Sequence, residues 1–263
     1  MDVAAYLDRL GLDRPATADV AALRTLQERH LAVVPFENLS IHLGEPIVLD
    51  AEALFDKIVR RRRGGFCYEL NGLFAALLGE LGFDVTLQAA KVFRPDGTVG
   101  PPLDHAVVRV ELEEPWLADV GFGRFSRFPL RLSATEAQAD PDGEFLVLDA
   151  PYGDIDVLQD GKPQYRIERR PRALDEFVPT AFWQATSPDS HFTRGPTCSL
   201  PAEHGRVTLA GGKLIVTTHG VRTETRLSGD QETLDAYRKE FGIELDRVPL
   251  TRAARSSTMN PPE

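Results

Sequence analysis

A cysteine at the first position of a strongly apolar helix constrains this chain more than any other feature. Residues 60–72 read Arg-Arg-Arg-Arg-Gly-Gly-Phe-Cys-Tyr-Glu-Leu-Asn-Gly. Beyond Cys67, the residues Leu70, Leu73, Phe74, Leu77, Leu78 and Leu81 recur with helical spacing before Gly82. That spacing predicts a buried amphipathic helix beginning at Cys67. Upstream, Asp50 as N-cap, Glu52 in the first turn and Leu54, Phe55, Ile58 and Val59 on one face predict a second helix. Its last turn would hold the arginines, with Gly64 as the C′ residue.

A thiol at a helix N-terminus meets unpaired backbone N–H groups and the positive end of the helix dipole. Both favour thiolate over thiol, and the same N–H groups suit an oxyanion on an attacked carbonyl. Position alone also fits a buried structural cysteine. The residues that separate these readings lie downstream.

The rest of the chain divides by pattern. Val3, Tyr6, Leu7 and Leu10, ended by Gly11, predict a helix, and Leu23, Leu26 and His30 after Thr17 or Asp19 predict another, ended at Pro35. Pro35 to Ser40 reads as a turn, followed by an extended piece to Leu49. After Gly82 the pattern changes to short strands: 84–93, 105–112, 116–122, 128–132, 144–149, 155–158 and 164–168, which suggest an antiparallel barrel or sandwich. Residues 175–187 read as a connector. Strands at 206–210, 213–218 and 221–227 form a meander, a helix using Leu234, Tyr237 and Phe241 follows, and the tail from Thr251 reads as disordered. The expected organisation is α+β: a helical bundle (1–83) carrying the cysteine, a β-barrel (84–185), and a connector with an α/β lid (186–263).

With 42% hydrophobic and 27% charged residues the composition is that of a soluble globular protein. A net charge of −10 argues against general nucleic-acid binding. Two cysteines and no apolar N-terminal leader predict a reducing, cytoplasmic setting, and no apolar run is long enough for a membrane span. No Cys/His spacing suggests a metal.

A nucleophilic cysteine needs a base and a group that orients the base. His105 opens one predicted strand and Asp119 lies on the next. A two-residue turn at Glu113-Glu114 would set Asp119 opposite Val108 and leave His105 on the other face. The two side chains meet only if the turn has an odd count, a bulge intervenes, or His105 precedes the regular strand. Taken singly, His105 also reads as a surface histidine or one satisfied by hydrogen bonds, and Asp119 as a turn carboxylate.

The segments Pro35-Phe36-Glu37-Asn38-Leu39, Arg63 to Asn71, the His105 strand, Asp119-Val120-Gly121-Phe122-Gly123 and Ser187 to Phe192 together resemble the arylamine N-acetyltransferase family. The resemblance spans roughly residues 3–250. It implies a Cys67-His105-Asp119 triad on a cysteine-protease-like core, with a helical bundle, a barrel and a lid. It implies an acceptor pocket lined by Phe36, Val92, Phe122 and Phe192, and a coenzyme-contacting loop through Gly121, Gly123 and Ser126. Arg63 and Glu37 match positions that resemble an internal ion pair, and the other three arginines read as a solvated helix end. Departures occur at Ser187, where the family often has His, and at Arg124-Phe125-Ser126-Arg127, where it often has a small residue and a Thr-rich turn. Arg124 and Arg127 read equally as attractors of coenzyme phosphates and as solvated surface charge.

The implied activity is transfer of acetyl from acetyl-CoA to arylamines, hydrazines or N-hydroxyarylamines through an acetyl-cysteine, without a metal. The same residues would also serve an amide synthase closing a polyketide macrolactam, a Cys-His-Asp hydrolase, or a non-catalytic binder of CoA or an aromatic ligand.

Overall fold

A computed structural model of the chain describes residues 1–202 and 204–251. Helix α1 (Val3–Leu10) is capped by Asp2, which accepts the Ala5 N–H at 3.0 Å, and is ended by Gly11 at φ 67°. Helix α2 (Val20–Val33) is capped by Asp19, and Thr17 donates its hydroxyl to that cap. Between Pro35 and Leu49 the expected turn and extended piece give way to a two-residue strand, β1 (Phe36–Glu37), and a short helix, α3 (Leu39–Leu43). The helix forms because Leu39 and Leu43 have an apolar surface to cover: they pack with Cys198, Leu209, Tyr237 and Phe241.

Helix α4 (Ala51–Phe55) starts at Asp50 as its cap predicts and continues into a π-helical turn at Asp56–Arg60. The predicted exit is wrong in one respect. Gly64 is not a C′ residue; Arg62 takes the left-handed conformation at φ 52°. Arg63 turns inward instead, and Gly64 lies where a Cβ would stand 1.8 Å from the Pro35 carbonyl oxygen. Arg60, Arg61 and Arg62 are exposed. Helix α5 (Cys67–Glu80) begins at the cysteine, and Leu70, Leu73, Phe74, Leu77 and Leu78 are completely buried.

The seven predicted strands and one not expected, Gln138–Asp140, join into one antiparallel sheet of eight. They are β2 (Asp84–Val92), β3 (His105–Glu111), β4 (Pro115–Ala118), β5 (Leu130–Arg131), β6 (Gln138–Asp140), β7 (Gly143–Asp149), β8 (Ile155–Gln159) and β9 (Lys162–Arg172). Their order is β5-β4-β3-β2-β9-β8-β7-β6. The sheet curls into a nearly closed barrel. Its edges meet through Gln138, whose amide accepts the Arg131 N–H at 2.8 Å and donates to the Arg131 carbonyl at 3.1 Å, in place of a ladder rung. Strand β3 is buried on both faces. Ala106, Val108 and Val110 pack with α5, whereas Val107 packs in the barrel with Phe125, Phe145, Tyr165 and Ile167. This period-two division puts the helix carrying Cys67 on one side of β3 and the barrel interior on the other.

Beyond the barrel the connector contains a helix, α6 (Val178–Thr186). A strand not expected there, β10 (Thr197–Ala202), precedes the meander β11 (Gly205–Ala210), β12 (Lys213–Thr218) and β13 (Val221–Arg226), and α7 (Asp230–Phe241) follows. The sheet order is β1-β10-β11-β12-β13, so a strand from the N-terminal helical region forms the edge of the C-terminal sheet. The tail expected to be disordered lies outside the described residues beyond Thr251. Among the described residues no helix is long and apolar enough to cross a membrane.

The Gly64 packing can be tested against a neighbouring glycine. Gly64→Ala drives a Cβ into the Pro35 carbonyl and should cost about 3 kcal/mol or more. Gly79→Ala, in α5 with its nearest new neighbour 3.8 Å away, should gain about 0.5–1 kcal/mol. Urea unfolding of both variants measures the contrast, and equal effects would refute it.

Candidate active site

The hairpin that carries His105 and Asp119 resolves the register problem by its turn. The pairs Val108–Ala118, Arg109–Leu117, Val110–Trp116 and Glu111–Pro115 leave a three-residue loop, an odd count. Continuing this register sets Asp119 opposite Val107, on the same face as His105. The imidazole Nε2 donates to Asp119 Oδ2 at 2.8 Å, and both residues are buried. Cys67 shares the cavity with the imidazole and favours its charged form. Burial works against a charged His105, but Asp119 and Cys67 outweigh it and raise its pKa to about 10. Burial likewise disfavours the Asp119 carboxylate, and His105, Asn71 and the Gly121 N–H more than compensate, holding it below the usual range.

Asp119 is the most densely bonded group in the site. Oδ1 accepts from Asn71 Nδ2 at 2.8 Å and from the Gly121 N–H at 2.9 Å; Oδ2 accepts from His105 and from the Tyr165 hydroxyl at 3.1 Å. Sequence reasoning missed Asn71 and Tyr165. Asn71 had a signal: it lies one turn after Cys67 and so shares its helix face. Its amide also donates to the Ala106 carbonyl at 2.6 Å and accepts the Val120 N–H at 2.9 Å, tying α5 to two barrel segments. Tyr165, on the distant strand β9, had none.

Beneath the start of α5 lies a buried set of charges. Arg63 pairs with Glu37 at 2.9 Å, as the sequence suggested, and with Glu45 at 3.2 Å. Lys57 joins the set, 2.7 Å from Glu69 and 3.9 Å from Glu37. Glu69 in turn accepts the Phe66 N–H at 3.2 Å, just before the cysteine. Burial would push both carboxyls up. Lys57 and Arg63 hold Glu37 below the usual range, whereas Glu69, with Lys57 beside it and Glu37 nearby, stays above it.

Cys67 and His105 open into a cavity of about 1040 Å³. Of the residues expected there, Phe36, Val92, Phe122, Phe192 and Gly121 all line it. Phe122 stacks edge-on to His105 with centroids 5.1 Å apart, and Phe192 meets Phe66 at 5.5 Å and Phe36 at 6.2 Å. The Phe192 carbonyl is held by Asn38 and His42, both at 2.9 Å. Gly121 touches the helix of Cys67: a Cβ there would stand 2.7 Å from Cys67 Cα. Gly123 and Ser126 are not on this lining. Gly123 lies in a neighbouring pocket with Arg127 and Arg206, and Ser126 is buried, its carbonyl accepting from Gln27. Arg124 is exposed, and Arg127 is bonded to Asp142.

Two measurements probe this geometry. Asn71→Ala would leave Asp119 Oδ1, the Ala106 carbonyl and the Val120 N–H short of partners, at a cost of about 2–4 kcal/mol in urea unfolding. The raised pKa of His105 has a pH signature. Its contribution is fully present below the unfolded value of 6.5 and is lost as pH rises towards about 10. Stability should therefore fall across that window, and His105→Gln should flatten the slope; an unchanged slope would refute the charged pair.

Comparison with known proteins agrees with this geometry. Residues 19–250 match the family model described as N-acetyltransferase. The arylamine N-acetyltransferase of Mycolicibacterium smegmatis is 35% identical over 257 residues, covering 93% of each chain. The arylamine N-acetyltransferase / N-hydroxyarylamine O-acetyltransferase of Salmonella typhimurium is 38% identical over 195 residues, 72% of this chain and 69% of that one. The solved structure of Mycobacterium marinum arylamine N-acetyltransferase in complex with CoA superposes with a TM-score of 0.83 at 31% identity, over 92% of this chain and 93% of that one. With the match running through both the helix of Cys67 and the hairpin of His105 and Asp119, this chain belongs to the arylamine N-acetyltransferase family of acyltransferases.

Proposed function

We propose that the chain transfers an acetyl group from acetyl-CoA to arylamines, hydrazines and N-hydroxyarylamines through an acetyl-Cys67 intermediate. One observation carries the reading: a helix-start cysteine shares an aromatic-walled cavity with a histidine whose far nitrogen is bonded to a buried carboxylate.

In the first half-reaction Cys67 Sγ, as thiolate, attacks the thioester carbonyl. The oxyanion that forms is held by the first N–H groups of α5. The carbon–sulfur bond to CoA then breaks, and the departing thiolate takes the proton of the His105 imidazolium. Exchange of one thioester for another is near balance, so this step needs positioning more than driving force.

In the second half-reaction the amine nitrogen attacks acetyl-Cys67, and neutral His105 accepts the proton that the nitrogen loses. The bond to Cys67 breaks, the amide leaves, and the thiolate–imidazolium pair is restored. Asp119 fixes the histidine tautomer and stabilises its cationic form. Weakly basic aryl nitrogens are neutral at pH 7 and attack without prior deprotonation. The walls of Phe36, Phe122 and Phe192 favour flat apolar acceptors and exclude water, which would hydrolyse the intermediate. Arg94 and Arg194, exposed at the mouth, suit the phosphates of the coenzyme. Placement beside Cys67 supports a donor-contact role for Gly121; for Gly123 and Ser126 that role rests on the family resemblance.

Intact mass tests the reading. Acetyl-CoA alone should add one acetyl group to the wild type and none to Cys67→Ala, and an arylamine should then discharge it as the N-acetyl product. Discharge by water alone would indicate a hydrolase, and no acetylation would overturn the proposal. Asp119→Asn should lose transfer by orders of magnitude while remaining folded.

A further inference from the structure

The cavity wall contains a carboxylate that the acyl-transfer chemistry does not use. Asp104 precedes His105 and lines the cavity with it. The other carboxylates on this lining, Asp96 and Asp189, are exposed at the mouth, whereas Asp104 is half-buried.

The local structure is shaped around this side chain. Leu103 adopts φ 61°, a conformation disfavoured for a branched residue, and the Tyr68 hydroxyl holds it there with contacts of 2.9 Å to the Leu103 and Asp104 carbonyls. That reversal lets Asp104 and His105, adjacent in sequence, both face the cavity. Gly100 makes room for the carboxylate: a Cβ there would stand 1.8 Å from Asp104 Oδ2. Gln184, itself buried, donates to Asp104 Oδ1 at 2.6 Å and accepts from the buried Ser190 hydroxyl at 2.6 Å. Burial pushes the Asp104 carboxyl above its ordinary range, opposed by the charge on His105. A left-handed Leu103, a glycine packed against the carboxylate and a two-link hydrogen-bond chain thus converge on one half-buried acid, in a cavity whose walls also hold Phe36, Phe122 and Phe192 and whose exposed mouth holds Arg94 and Arg194.

Building on the acetyl-transfer reading above, we propose that Asp104 is a specificity determinant of the acceptor site. It favours arylamines bearing a cationic or hydrogen-bond-donating substituent and disfavours those bearing a carboxylate. A charge-assisted hydrogen bond in a partly desolvated site is worth about tenfold or more in affinity, and a like charge placed there costs a similar factor.

The test uses three amines of similar shape: 4-aminobenzylamine, whose benzylic nitrogen is a cation, neutral p-toluidine, and 4-aminobenzoate. Each is titrated by calorimetry into the full chain and into Asp104→Asn, and kcat/KM with acetyl-CoA is measured in parallel. The wild type should bind the cation at least tenfold tighter than the anion, with p-toluidine between. Asp104→Asn should shrink that ratio by tenfold or more, and Asp104→Glu, which keeps the charge, should preserve the ranking. A purely structural role would weaken all three amines by one common factor; that result, or an unchanged ratio, would overturn the proposal. The binding arm needs no turnover, so absence of acetyl transfer would sink the transferase reading while the ratio still decides the role of Asp104.

Discussion

Everything in the site depends on keeping one carboxylate ionised where water does not reach. A buried, unpaired Asp119 would take up a proton and lose its grip on the imidazole. Its donors come from four parts of the chain: Asn71 on α5, His105 on β3, Tyr165 on β9 and the Gly121 amide of its own loop. The charge is therefore compensated only when helix and barrel are docked. Fold and active site are one assembly here, because the bonds that orient the histidine are the bonds that join the two layers.

A second set of charges does the corresponding work on the cysteine side. Glu69 reaches back to the Phe66 amide and is itself held by Lys57, which also approaches Glu37, the partner of Arg63. Buried ion pairs of this kind contribute little net stability over an apolar packing, but losing one member leaves a stranded charge. Their value is geometric. They fix where the helix starts, and so where the thiol stands relative to a hairpin that belongs to another layer.

Much of this was legible in the chain. Helical periodicity after Cys67, a cap at Thr17 or Asp19, a cap at Asp50, and alternation after Gly82 located most of the helices and most barrel strands. The parity argument on the Glu113 turn left three ways for His105 and Asp119 to meet, and an odd loop is the one found. What stayed hidden depended on distant partners. The α3 helix exists because Leu39 and Leu43 cover part of a C-terminal core, and β10 because β1 and β11 flank it. Gly64 misled because a glycine after a helix usually marks a left-handed exit, whereas here it makes room for the Pro35 carbonyl. Lys57 carried no signal in the sequence, because a helix lysine is usually solvated and only the fold encloses this one.

The pairing of β1 with β10 also bears on how the chain is made. Asn38, next to β1, takes its bond from the Thr197 amide 159 residues further on. At roughly 5–20 residues per second a ribosome takes about ten to thirty seconds to bridge that gap. Through that interval the helical region emerges with a short unpaired strand edge, and Phe36 waits for the Phe192 segment that completes its side of the cavity. The aromatic wall is thus closed from the C-terminal side, late in synthesis. A nascent or truncated chain could hold a folded helix bearing Cys67 and still lack the enclosure that would keep water from an acylated thiol.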